Sequence, residues 1–83
     1  MFCNYEEFEY EFEKALIRGS IDYWIEVIDM VSKDVKVGEG FSVIATMALD
    51  SPDEYGCEFS FEKQMVDNEE TLLFLNAIYR KIS

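Results

Sequence analysis

The sequence predicts an α+β fold: two N-terminal helices, a small antiparallel β-sheet of two or three strands, and a C-terminal helix packed on one face of the sheet. Three observations carry that reading. Capping residues followed by apolar stripes of helical period occur at residues 5–18, 21–33 and 67–82. Residues 35–49 are β-branched and contain two glycines, and CEFSFE at 57–62 alternates apolar with polar. The 83 residues form a single domain, 1–83. A composition of 49% hydrophobic, 16% aromatic and 30% charged residues excludes a disordered chain.

The first element starts with EEFEYEFEK, which alternates like a strand but has the ends of a helix. Asn4 is an N-cap residue with Glu7 three positions later, Lys14 and Arg18 fall in the last turn, and Gly19 is the stop signal. Tyr5, Phe8, Phe12, Ala15 and Leu16 then share one stripe. Ser20 caps the second helix, whose polar row of Asp22, Glu26, Asp29 and Lys33 is narrow and whose other positions are apolar. That pattern predicts a central helix covered on more than one side.

A strand is expected from Phe41 to Leu49, with Phe41, Val43, Ala45, Met47 and Leu49 on one face. Val35 to Val37 form a candidate third strand, turned back through Gly38, Glu39 and Gly40. DSPDEYG reads as a turn, and the strand after it directs Cys57, Phe59 and Phe61 inward and Glu58, Ser60 and Glu62 outward. Asp67 and Glu70 resemble a second capping box. The stripe Phe74, Leu75, Ile78, Tyr79, Ile82 completes the expected C-terminal helix, closed by Arg80 and Lys81.

Eighteen acidic residues against seven basic ones give a formal charge of −11, which disfavours direct contact with nucleic acid or an anionic membrane and favours a basic partner. The chain contains no histidine, which removes the commonest general base and the usual catalytic zinc ligands. No serine has a nucleophile-elbow context, and no glycine pair forms a phosphate loop. The acids at Asp50, Asp53, Glu54 and at Asp67, Glu69, Glu70 lack calcium-loop spacing. A non-enzymatic protein without cofactor or metal is therefore expected. MFCNYEE has neither the basic nor the apolar region of a secretory signal, and Cys3 and Cys57 have no metal spacing, so two reduced thiols in a cytoplasmic protein are expected.

What the residues do offer is ordered negative charge. On a helix, Glu6, Glu9 and Glu13 form one row beside the apolar stripe and Glu7 with Glu11 a second. Asp22, Glu26 and Asp29 repeat the spacing on the next helix. Like charges four residues apart cost a few tenths of a kcal/mol, roughly 0.2–0.5 per pair. In size and charge alone, the chain resembles DNA-mimic inhibitors such as phage anti-restriction and anti-CRISPR proteins and the uracil-DNA glycosylase inhibitor. That resemblance implies a basic, nucleic-acid-handling protein as partner, and a phage or mobile-element origin acting in the host cytoplasm fits it. A toxin-neutralising immunity protein would share these electrostatics. The alternative of another class is a homodimer or adaptor module with an apolar interface on the second helix, using Tyr23 and Trp24 together with Tyr10.

Overall fold

The computed structural model describes residues 2–82. Its elements are β1 (Phe2–Cys3), α1 (Tyr5–Lys14), α2 (Ile21–Ser32), β2 (Gly40–Thr46), β3 (Tyr55–Val66) and β4 (Glu69–Lys81). The four strands make one mixed sheet in the order β1-β4-β3-β2, with β1 parallel to β4 and the other pairs antiparallel. Both helices contribute buried side chains to the single core on one face of that sheet.

The expected C-terminal helix is corrected to a strand. Asp67 and Asn68 both adopt left-handed backbone, φ 52° and 66°, which is the signature of a two-residue type I′ turn. The turn folds β4 back along the whole of β3, so the acids read as a capping box flank a hairpin loop instead. A β-bulge explains the misleading period. Phe74 pairs with Phe61 and Asn76 with Ser60, which leaves Leu75 as an extra residue and shifts the alternation by one. The inward positions therefore run Leu72, Phe74, then Ala77 and Tyr79, and the step of three mimics a helical stripe.

Other boundaries move for equally local reasons. The first helix ends at Lys14, because Leu16 enters left-handed backbone (φ 52°) well before Gly19. The chain there bridges to β2's continuation: Ile17 opposes Met47, Arg18 N–H donates to Thr46 O (3.0 Å), and Ala48 N–H donates to Leu16 O (2.7 Å). Leu16, expected in the buried stripe, is consequently 59% exposed, while Ala15 and Ile17 are buried. Asn4 is left-handed and makes no capping bond to the backbone; its amide donates to Phe74 O instead (3.3 Å). Ser20 does cap α2, accepting from Tyr23 N–H (3.2 Å).

The second helix is peripheral, not central: Ile28 and Ser32 are buried, but Tyr23 and Met30 are 57% and 66% exposed. Residues 35–37 lie outside the sheet, and Gly38 turns at φ 92°. Gly56 sits inside β3, where an added Cβ would meet Ile44 Cγ2 at 3.1 Å and Ala45 O at 3.3 Å. It is a close approach between strands and not a turn.

The core is a cluster of phenylalanines. Phe8 is fully buried, with ring centroids of Phe59, Phe61, Phe2, Phe74 and Phe12 between 5.1 and 5.9 Å away. It ties α1 to three strands. The opposite sheet face carries no helix, and across it Ile44, Glu58 and Ile78 stand in one row.

Candidate functional site

The helix α1 places its glutamates as its period requires. With Phe8 and Phe12 directed into the core, Glu6, Glu7 and Glu13 are exposed, and Glu9 and Glu11 are half-buried on opposite flanks. Successive members of a row, three or four residues apart, rise by about 4.5–6 Å. Asp22, Glu26 and Asp29 are exposed on α2. The two helices' acids converge near Tyr5, whose hydroxyl pKa is raised by burial, by the Glu9 carboxylate, which also accepts its hydrogen bond, and by the charge of Asp22.

Glu11 is the structural member of the set. It accepts from Lys14 Nζ (3.1 Å) and from Tyr79 O–H on β4 (3.1 Å). Burial and this carboxylate push Tyr79 up to about 12 from its ordinary 10.0. Since the folded chain holds that proton more tightly than the unfolded one, the contact's contribution is complete below pH 10 and is lost as pH rises toward 12. Tyrosinate absorbance should show Tyr79 ionising last, and Tyr79→Phe should remove that late step. An unaltered alkaline titration in the variant refutes the contact.

Between α1 and β4 lies a groove of about 550 Å³. Glu6, Glu7, Tyr10 and Glu11 form one wall and residues 74–77 the other. Tyr10 is 63% exposed, with Lys14 Nζ 5.2 Å from its ring centre. The β4 wall was missed in the sequence because those residues were placed on a helix; the available signal was the Asp67-Asn68 pair, whose residue types favour left-handed backbone. Beyond the turn side of the sheet, Lys63 is buried, donating to Ser32 O (2.8 Å) and Val35 O (3.1 Å) and lying 3.5 Å from Glu70 Oε2.

The candidate apolar residues do not form one patch. Trp24 is half-buried against the core, its indole N–H donating to Arg18 O (3.0 Å), and Tyr23 meets it edge-on from the outside at 5.5 Å. Tyr10 belongs to the groove on the other helix. Cys3 and Cys57 are both free thiols. Burial pushes the Cys57 thiol up to about 11. At about pH 8, alkylation should therefore consume Cys3 well before Cys57 in the native protein and both together in urea, followed by intact mass; equal native rates would contradict the burial.

Among the described residues, no group of three or more His, Cys, Asp or Glu is arranged to hold a metal ion. Among the same residues, no helix is long and apolar enough to cross a membrane. Fold and site together define a two-layer α/β protein whose helical layer is strongly acidic and whose sheet is covered on one face. No protein-family model, no curated protein and no solved structure matches the chain.

Proposed function

We propose that this is a small acidic, non-enzymatic binding protein that inhibits a basic, nucleic-acid-handling partner by presenting carboxylates where a nucleic-acid backbone would lie. The supporting observation is charge left uncompensated on one layer. Between Tyr5 and Lys33 the acids Glu6, Glu7, Glu9, Glu11, Glu13, Asp22, Glu26 and Asp29 face only Lys14, Arg18 and Lys33. Arg80 and Lys81 are engaged with Glu58 and Asp53, and Lys63, at the C-terminal end of α2, is held by Ser32 O, Val35 O and Glu70. The α1 rows are held by the buried Phe8 and Phe12, so their axial spacing of about 4.5–6 Å is fixed, and it is of the same order as the roughly 3.4 Å of rise at which charges recur along a nucleic-acid strand.

The test is capture from a lysate of the source cell, eluted with a salt gradient. The wild-type chain should retain a basic protein that binds nucleic acid, and added nucleic acid should compete it off. Reversing Glu6, Glu7, Glu9 and Glu13 to Lys, with Glu11 spared for its bond to Tyr79, should weaken capture roughly a hundredfold at unchanged circular dichroism. Capture that survives the reversal at physiological salt overturns the proposal.

One observation favours a second reading, an assembly module. On the uncovered sheet face Ile44 and Ile78 are 49% and 44% exposed, and Tyr23 and Met30 add an apolar strip on the outside of α2. This reading predicts a dimer by light scattering that persists in high salt and is dissociated by Ile44→Lys or Tyr23→Asp. A chain that is monomeric at all salt concentrations excludes it.

A further inference from the structure

We propose that the outer edge of β4 takes up an extended basic segment of the partner as an added strand, seated in the groove against Glu6 and Glu7; this rests on the basic-partner reading above. Three observations meet there. Strand β1 covers β4 only at Leu72 and Leu73, because Asn4 turns the chain away into α1. From Leu75 to Lys81, no strand among the described residues pairs with that side of β4. A sheet edge of this length offers a row of backbone donors and acceptors to any extended chain.

The edge also runs beside the groove, whose far wall is Glu6, Glu7, Tyr10 and Glu11. Past the bulge at Leu75, a strand laid along β4 sends alternate side chains toward the helical layer, in step with Ala77 and Tyr79. There they meet the carboxylates of Glu6 and Glu7 and the face of Tyr10, which suit lysine or arginine. The intervening side chains fall on the uncovered face beside Ile78 and Arg80, the latter paired with Glu58 (2.9 Å), which suits apolar residues. The chemistry points to a segment that alternates basic with apolar.

The probes are three synthetic peptides added to the full chain: (Lys-Val)₄, the same peptide N-methylated at alternate backbone amides, and (Glu-Val)₄. Titration followed by amide NMR should show the first bound, with slowed exchange at residues 75–81 and shifts at Glu6, Glu7 and Tyr10. The N-methylated peptide keeps every charge but loses its edge donors and should bind at least tenfold more weakly; (Glu-Val)₄ should not bind. Glu6→Lys with Glu7→Lys should abolish binding of (Lys-Val)₄, whereas Glu9→Lys with Glu13→Lys, off the groove, should leave it within about twofold. Equal affinity of the methylated peptide, or no protection of β4, overturns strand addition. The acidic-face reading fails separately, if partner capture is indifferent to both pairs of reversals.

Discussion

Phe8→Ala should remove a large share of the protein's stability. The side chain is fully buried and lies within ring-contact distance of Phe2, Phe12, Phe59, Phe61 and Phe74, so truncation opens a cavity among rings that cannot close on it without moving a helix away from three strands. Replacements of this kind cost about 3–5 kcal/mol. A chain of 83 residues has a total stability of only about 4–12 kcal/mol, at roughly 0.05–0.15 per residue. With a urea dependence of about 1 kcal/mol per molar, the midpoint should fall by roughly 3 M or more. Phe8→Leu should recover most of the loss, and Tyr10→Ala, on the same helix but outside the core, should stay within about 0.5 kcal/mol. A loss below about 1 kcal/mol for Phe8→Ala would mean that α1 is not docked through this ring.

Lys63→Met should cost about 2–3 kcal/mol, an unusual penalty for removing a positive charge from a protein with a formal charge of −11. The methionine keeps the apolar stem but removes the ammonium that donates to Ser32 O, at the end of α2, and to Val35 O, just beyond it. Ser32 O also accepts from Val35 N–H (3.1 Å), but the second bond, from Lys63, is buried, so water does not replace that donor freely. Urea denaturation measures the loss. Amide exchange should accelerate at residues 29–36 before it does in β3. Unchanged stability would show that the carbonyls are resolvated and that Lys63 contributes nothing by capping them.

Legibility in the sequence followed the range of the interactions. Helix α1 was readable, together with its acidic rows, because the pattern that defines it is local: Phe8 and Phe12 turned inward fix where Glu7, Glu9, Glu11 and Glu13 point. The inward set Cys57, Phe59 and Phe61 was readable for the same reason. The C-terminal half was not, since one bulged residue, Leu75, converted a period of two into a step of three. Nor could the pairing of Phe2 and Cys3 with Leu72 and Leu73, the sole parallel pair described, be seen in any window of the sequence. The groove was hidden with the first of these, being built from the readable helix and the unreadable strand edge. Lys63 illustrates a third. Counted by type it was one of a few scattered cations, and only the approach of α2's end to β3 makes it a buried donor.

The two-residue turn at Asp67 and Asn68 also orders events in time. Strands β3 and β4 are neighbours in the chain and pair along nearly their full length, and β2 joins β3 across residues 47–54. Hairpins of this kind form in about 1–10 μs and need little loop closure. The parallel β1–β4 pair and the docking of Phe8 onto Phe74 instead bring together residues from opposite ends of the chain. They are therefore expected to form late. Substitutions in the turn should slow folding, whereas those at Phe2 or Phe8 should chiefly hasten unfolding. The N-terminal segment then becomes the first part to lift from the sheet, a transient opening that would bare Phe59, Phe61 and Phe74 while the hairpin stays paired.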